Sequence, residues 1–259
     1  VHRMQRGRLM AKTFYYDSND IFNATLNDGS LSSNDFADGT TITNEERATD
    51  QYIATAVTAF TISDLLMVDY GSAVTNDFAA LYFTELNSTD VTIRDSDDGT
   101  ATSVNTTQSS DLAAGWNVIH LTSESHRYWL LQAGNGTLTG LTEMILGARL
   151  EFDMNPDIGI GEQEIYGTDI QRSIGGVEYG TKSHEPISTI SMNFSSIPSS
   201  FKTSLQSMEA DVQDFKKFIY SEDGTTGPFH YVRLDGPISY SEVAYQRYSA
   251  SFTLREQLS

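Results

Sequence analysis

The residues best suited to chemistry in this chain of 259 residues are five histidines and 35 acids; cysteine is absent. His120 and His126 flank the turn-like Ser123-Glu124-Ser125, a spacing that would let two imidazoles share a metal ion. Read as a turn, that stretch puts no third ligand at hand. Asp95-x-Asp97-Asp98-Gly99 gathers carboxylates as a calcium loop does. Set on the helix-loop-helix calcium pattern, Gly99 and Thr106 fall at its fifth and twelfth positions, where oxygen ligands are needed. A hairpin turn through Asp98-Gly99 is the simpler reading. His184-Glu185 starts like a zinc-protease helix, but Pro186 would break that helix.

The motifs of the common catalytic and nucleotide sites are missing. There is no Gly-x-Ser-x-Gly, no phosphate loop ending in Gly-Lys, no Gly-x-Gly-x-x-Gly and no His-Glu-x-x-His. Glycosidase chemistry needs two carboxylates facing across a cleft, and with 35 acids sequence proximity says nothing about that. The expectation is a protein that is not an enzyme and holds no cofactor. Tyr15, Tyr16 and Tyr166 lie in polar surroundings and are candidate contacts for a sugar or a neighbouring subunit. Trp116 and Trp129 lie in strand patterns, where core packing accounts for them.

The elements that must carry these residues are mostly strands. Ile190, Met192 and Phe194 alternate as in a half-buried strand that ends at Pro198. Ser199 or Ser200 is placed to cap a helix. Phe201, Leu205, Met208, Val212, Phe215 and Ile219 then draw one apolar stripe, so a helix is expected over about 200–220. Short apolar segments between Tyr52 and Leu150 alternate with turn signals, as in an all-β sandwich. The expected strands are 52–60, 65–70, 78–84, 90–94, 116–122, 127–133 and 143–151. Turns are expected at 69–72, 97–100 and 134–136, and the polar stretch 100–111 as a long loop or two weak strands. Residues 153–169, with five acids, one proline and three glycines, read as a linker. A hairpin around Gly175-Gly176 follows, then strands at Phe229–Leu234 and Tyr245–Leu254, giving ββ-α-ββ order. The division is therefore 1–19 as a basic arm, 20–152 as a β-sandwich, 153–169 as linker, and 170–259 as a second β domain with one helix.

Charge narrows the partners. The formal net charge of −19 repels DNA and anionic membranes at long range, so no nucleic acid and no membrane insertion are expected. No run approaches the ~20 apolar residues of a membrane span, and the start lacks a signal-peptide core. Asn-x-Ser/Thr triplets at Asn23, Asn87, Asn105, Asn135 and Asn193 are expected by chance in a Thr- and Ser-rich chain. Arg3, Arg6, Arg8 and Lys12 form a basic cluster free of acids. Two readings stay open for it: an arm that docks on an acidic neighbour, or an extension preceding a second start at Met10.

Two stretches resemble known families. Asp69-Tyr70-Gly71, then Val91-Thr92-Ile93-Arg94-Asp95-Ser96-Asp97-Asp98-Gly99, then Arg127-Tyr128-Trp129 resemble strands of the galactose-binding-like, or discoidin-like, jelly roll. Leu131 departs from that pattern, and the discoidin disulfide is absent. The second half (172–180, 189–194, the helix and 248–256) resembles tail-tube and distal-tail domains of tailed bacteriophages. Together they imply a structural protein of a phage tail, at the distal tail or baseplate, made in the host cytoplasm and assembled into the virion. The resemblance implies homo-oligomeric assembly, with a hexameric ring as one form, beside other tail and baseplate proteins. The interface candidates are Arg3, Arg6, Arg8, Tyr15, Tyr16, Arg172, Tyr179 and Lys182, with the 235–247 connection behind them. Some galactose-binding-like domains hold calcium on a loop, which would engage Asp95, Asp97 and Asp98. The alternative function is a carbohydrate-binding module, which could also serve adsorption to a host surface glycan.

Overall fold

The computed structural model describes residues 12–30, 45–51, 56–57, 60–61, 64–85, 90–98, 106–109, 112–134, 137–157 and 160–257. Arg3, Arg6 and Arg8, and with them the docking arm, lie outside these residues, as does most of the strand expected at 52–60. The described protein is mainly β, mostly antiparallel, with one α-helix. Contacts divide it into two compact units, Tyr15–Arg149 and a second built from Leu150–Leu258 with the residues up to Phe14. Among the described residues no helix is long and apolar enough to cross a membrane.

The first unit is a sandwich organised by two long strands. In chain order the strands are β1 (Thr13–Tyr16), β2 (Thr25–Ser30), β3 (Phe60–Thr61), β4 (Asp64–Phe83), β5 (Val91–Ser96), β6 (Thr106–Ser109), β7 (Gly115–Ala133), β8 (Thr137–Leu138) and β9 (Leu141–Glu151). The sheet order is β9-β4-β7-β5-β6, with β2 also on β4, while β3 and β8 form a separate pair. The pairing of β4 with β7 shifts register in the middle, between Asp69 and Val74 and between Asn76 and Phe78. Residues 65–69 of β4 lie between β2 and residues 128–132 of β7, whereas 78–83 lie between β9 and residues 115–120 of β7. One apolar core takes Leu66, Val68, Trp129 and Leu131 from one half, and Ala79, Leu81, Ile119 and Leu146 from the other.

That continuity corrects two expectations. Asp69-Tyr70-Gly71-Ser72 was expected as a turn between strands and instead forms a register shift within β4. Gly71 takes a left-handed φ of 74°, and its N–H donates to Asp69 Oδ1 at 2.7 Å. Ser123-Glu124-Ser125 likewise stays in strand. Turn chemistry and bulge chemistry use the same residues, so the local signal was real and its consequence different.

The second unit lays a helix on a sheet. Its elements are β10 (Gly161–Arg172), β11 (Glu178–Pro198), α1 (Ser199–Val212), β12 (Phe218–Ser221), β13 (Phe229–Leu234), β14 (Ser239–Ala244) and β15 (Arg247–Glu256). The order is β10-β11-β15-β13-β12, with β14 added on β15. The helix buries Phe201, Leu205, Met208 and Val212. Its stripe stops there because Gln213 turns to φ 52°, leaving Phe215 exposed and Ile219 buried in β12. Pro198, rather than a serine, occupies the cap position, and no side chain caps the helix. Phe14, Phe152, Phe194, Phe201, Phe218 and Phe252 meet in edge and stacked contacts of 4.8–6.1 Å.

The stretch expected as a linker is strand from Gly161 on. The basic arm also ends earlier than expected, because residues 13–16 are a fully buried strand. Polar neighbours do not stop residues 13–16 from folding as a buried strand, and acid-rich composition does not stop 161–172 from pairing with the next strand, β11.

Candidate functional site

Two surfaces hold the side chains with something left to do. One is the ribbon made by β10 and β11. Their register runs from Gly161↔Ser191 to Arg172↔Glu178, closed by a turn whose Gly176 has φ 81°. β11 pairs with β15 only from Thr189 onward. Residues 178–188 therefore have β10 as their one described neighbour strand, and the ribbon extends past the sheet. Tyr166, Ile170 and Tyr179 are 66%, 65% and 62% exposed, and Ile165, Ile174 and Val177 are exposed with them. Arg172 pairs with Glu178 at 3.0 Å and Lys182 with Glu185 at 2.6 Å, and all four side chains are open to solvent. Arg172 on β10 and Tyr179 and Lys182 on β11 thus all lie on this ribbon. A second free edge, β14, ends near exposed Val243 and Tyr245.

Tyr15 and Tyr16, the other tyrosines expected as contacts, do not join them. Both are buried in β1; Tyr15 meets Phe78 ring to ring at 5.1 Å, and its hydroxyl reaches His120 Nε2 at 2.9 Å. Among the described residues the group that could hold a metal contains His126 but not His120.

The other surface lies on β5 and β7 of the sandwich. His126 sits among three carboxylates: Asp97 Oδ1 is 3.0 Å from Nδ1, while Glu124 Oε2 and Asp95 Oδ2 are 3.2 and 3.9 Å from Nε2. Burial pushes the imidazole pKa down, but hydrogen bonds to Glu124 and Asp97 and the charges of Asp95 and Asp97 hold it above its usual value. Asp98 turns away and accepts from the Ser96 hydroxyl at 2.9 Å. The three aspartates expected as one calcium loop are thus divided, and two of them serve His126.

Next to this cluster, Arg127 donates through Nε and Nη2 to both oxygens of Asp69 at 2.7 and 2.8 Å. The guanidinium lies 4.7 Å from the centroid of the Tyr128 ring. Asp69 is held below the usual carboxylate range, first by the Arg127 bond and further by the Gly71 N–H, against an opposing effect of burial. Trp129 is buried, as expected, whereas Trp116 is half-buried with its ring edge on Tyr82. Sequence reading missed Glu124 and the Asp69–Arg127 pair. An alternation of Glu124 with His126 was available once Ser123–Ser125 is read as strand rather than turn.

No family model matches this chain, and no curated protein matches it. Solved structures do. Chitosan-binding module 1 from a chitosanase/glucanase of Paenibacillus sp. IK-5 is 20% identical, covering 52% of this chain and 100% of its own, with a TM-score of 0.40. A CBM32 module from a family 31 glycoside hydrolase of Clostridium perfringens is 15% identical over 48% of this chain and 94% of its own, TM-score 0.36. Another from Clostridium perfringens, in complex with GalNAc-β-1,3-galactose, is 13% identical over 49% of this chain and 97% of its own, TM-score 0.37. At these identities and scores the fold assignment rests on the strand order and core of this chain itself.

Proposed function

We propose that this chain is a non-catalytic binding protein that joins further copies of itself through the β10–β11 ribbon and takes carbohydrate on its sandwich unit. The ribbon carries the proposal. A two-stranded ribbon with both faces in water is marginal by itself, and this one keeps six large apolar side chains exposed. A second copy is the occupant that fits. Among the described residues β10 and β14 each pair on one side only, so one chain offers two different free edges with apolar residues beside each. Pairing of unlike edges is head-to-tail, and such contacts close into rings when the rotation allows. A tailed-phage tail or baseplate is the setting suggested by the sequence patterns at 172–180, 189–194 and 248–256.

Light scattering on the full chain at low and moderate salt tests this reading. Multimers of defined mass are expected, with Ile170→Ser plus Ile174→Ser giving monomers of unchanged fold. Equal masses for the two proteins would remove the ribbon from any interface.

The carbohydrate reading is favoured by the Asp69–Arg127–Tyr128 arrangement. A fixed, half-exposed donor–acceptor pair beside an aromatic ring is the kind of convergent polar group that orients a sugar ring and its hydroxyls. On a glycan array the full chain is expected to bind a restricted set, and Arg127→Ala to weaken it about tenfold or more, the cost of one charged hydrogen bond. Retained binding in that variant would move the sugar site elsewhere.

A further inference from the structure

We propose that Asp95, Glu124 and His126 form a site for one divalent cation of the zinc class, with Asp97 as the outer carboxylate that orients the imidazole. Glu124 and His126 are two apart on β7 and so project to the same side. Asp95 comes from the neighbouring strand β5, and its carboxylate reaches to within 3.9 Å of His126 Nε2. One donor atom from each of the three lies within 4.8 Å of the others. Donors around a tetrahedral zinc, each at 2.0–2.2 Å from the metal, stand about 3.4 Å apart, so small side-chain rotations close this set on an ion. The contacts of Nε2 with Glu124 and Asp95, at 3.2 and 3.9 Å, mark where the ion would stand.

Three features favour a cation over a bare ion cluster. Three carboxylates surround one imidazole, so the group is net negative whether or not the ring is protonated. Asp95 is buried, and the edge of buried Trp129 flanks His126 at 6.4 Å between centroids, which lowers the local dielectric and raises the value of a compensating charge. Asp97, on the opposite ring nitrogen, supplies what metal-binding histidines regularly have, an acceptor that fixes tautomer and ring plane. Imidazole with two carboxylates suits zinc and its neighbours; calcium prefers six to eight oxygens and gains little from a nitrogen. Water would fill the remaining position. The site owes nothing to the ribbon or to sugar binding.

Zinc chloride titrated calorimetrically into chelator-treated full chain tests the proposal, with cobalt as a spectroscopic substitute. The expected result is one saturable equivalent, a visible cobalt band, and at least tenfold weaker binding in His126→Gln. Asp97→Asn should weaken binding by about 10-fold, the usual effect of an outer-shell partner. Circular dichroism of each variant reports whether the fold survives; should His126→Gln unfold, Glu124→Gln carries the same comparison. Absence of a saturable equivalent overturns the proposal, and so does binding that His126→Gln leaves unchanged, since the ion would then sit elsewhere on the acidic surface. Displacement of zinc by millimolar calcium overturns the assignment to the zinc class.

Discussion

The β4–β7 pair of the sandwich unit and the β10–β11 ribbon are built alike and used in opposite ways. Both are long antiparallel pairs that outrun their neighbours, and both contain register shifts. β4 and β7 place Leu66, Leu81, Trp129 and Leu131 in a closed core. β10 has one buried residue, Gly167, and leaves Ile165, Tyr166 and Ile170 in water. The first pair is held by what it buries within its own unit. The second leaves its large side chains in water, the observation from which the proposed self-association is argued.

Leu81→Ala gives the largest contrast. Leu81 is fully buried between Asn117 of β7 and Met144 of β9, and its loss should cost about 2–5 kcal/mol in urea unfolding. Ile170→Ala, on an exposed face of the ribbon, should stay within about 0.5 kcal/mol. Comparable losses at the two sites would mean that the ribbon folds against something within the chain, and would sink the docking reading.

Glycines sharpen the same contrast at smaller scale. A Cβ on Gly147 of β9 would run into the backbone at Tyr16, Asp17 and Ser18, so Gly147→Ala must shift main chain and should cost about 1–3 kcal/mol. A Cβ on Gly180 of the ribbon would meet only Thr168 Cγ2, at an ordinary 3.9 Å. Gly180→Ala is expected to be neutral or stabilising by about 0.5 kcal/mol, through loss of unfolded-state freedom. Thermal unfolding of the two variants measures both.

These differences also mark what the sequence makes legible. The alternation at Tyr248, Ala250, Phe252 and Leu254, the stripe through Val212 and the turn at Gly175-Gly176 are local patterns, and each stands where local pattern put it. The residues that were misplaced depend on partners far along the chain. Tyr15 is buried by Phe78 and His120, more than 60 and 100 positions away. His126 acquires Asp95 from β5 and Asp97 from just beyond its end because β5 lies beside β7, which no spacing within 95–98 or 120–126 discloses. The acid-rich 161–169 segment reads as linker because both faces of an exposed ribbon are polar enough to resemble one.

Ion pairs provide the smallest test. Asp69 and Arg127 clamp β4 to β7 with two short bonds, and the Asp69 side chain is largely covered. Because its pKa in the folded chain lies below the unfolded value near 3.8, the pair's contribution is present above that unfolded value. It is lost as pH falls through the folded pKa. Asp69→Asn should therefore lower the unfolding temperature modestly at pH 7 and leave progressively less difference from the parent as pH drops below 4. Arg172–Glu178 in the ribbon is exposed at both ends, where screening leaves such pairs little net effect. Glu178→Gln should accordingly leave the unfolding temperature flat at every pH. If Glu178→Gln instead reproduces the pH-dependent loss of Asp69→Asn, the ribbon pair is as tightly held as the clamp, and the contrast between the two strand pairs fails at its finest scale.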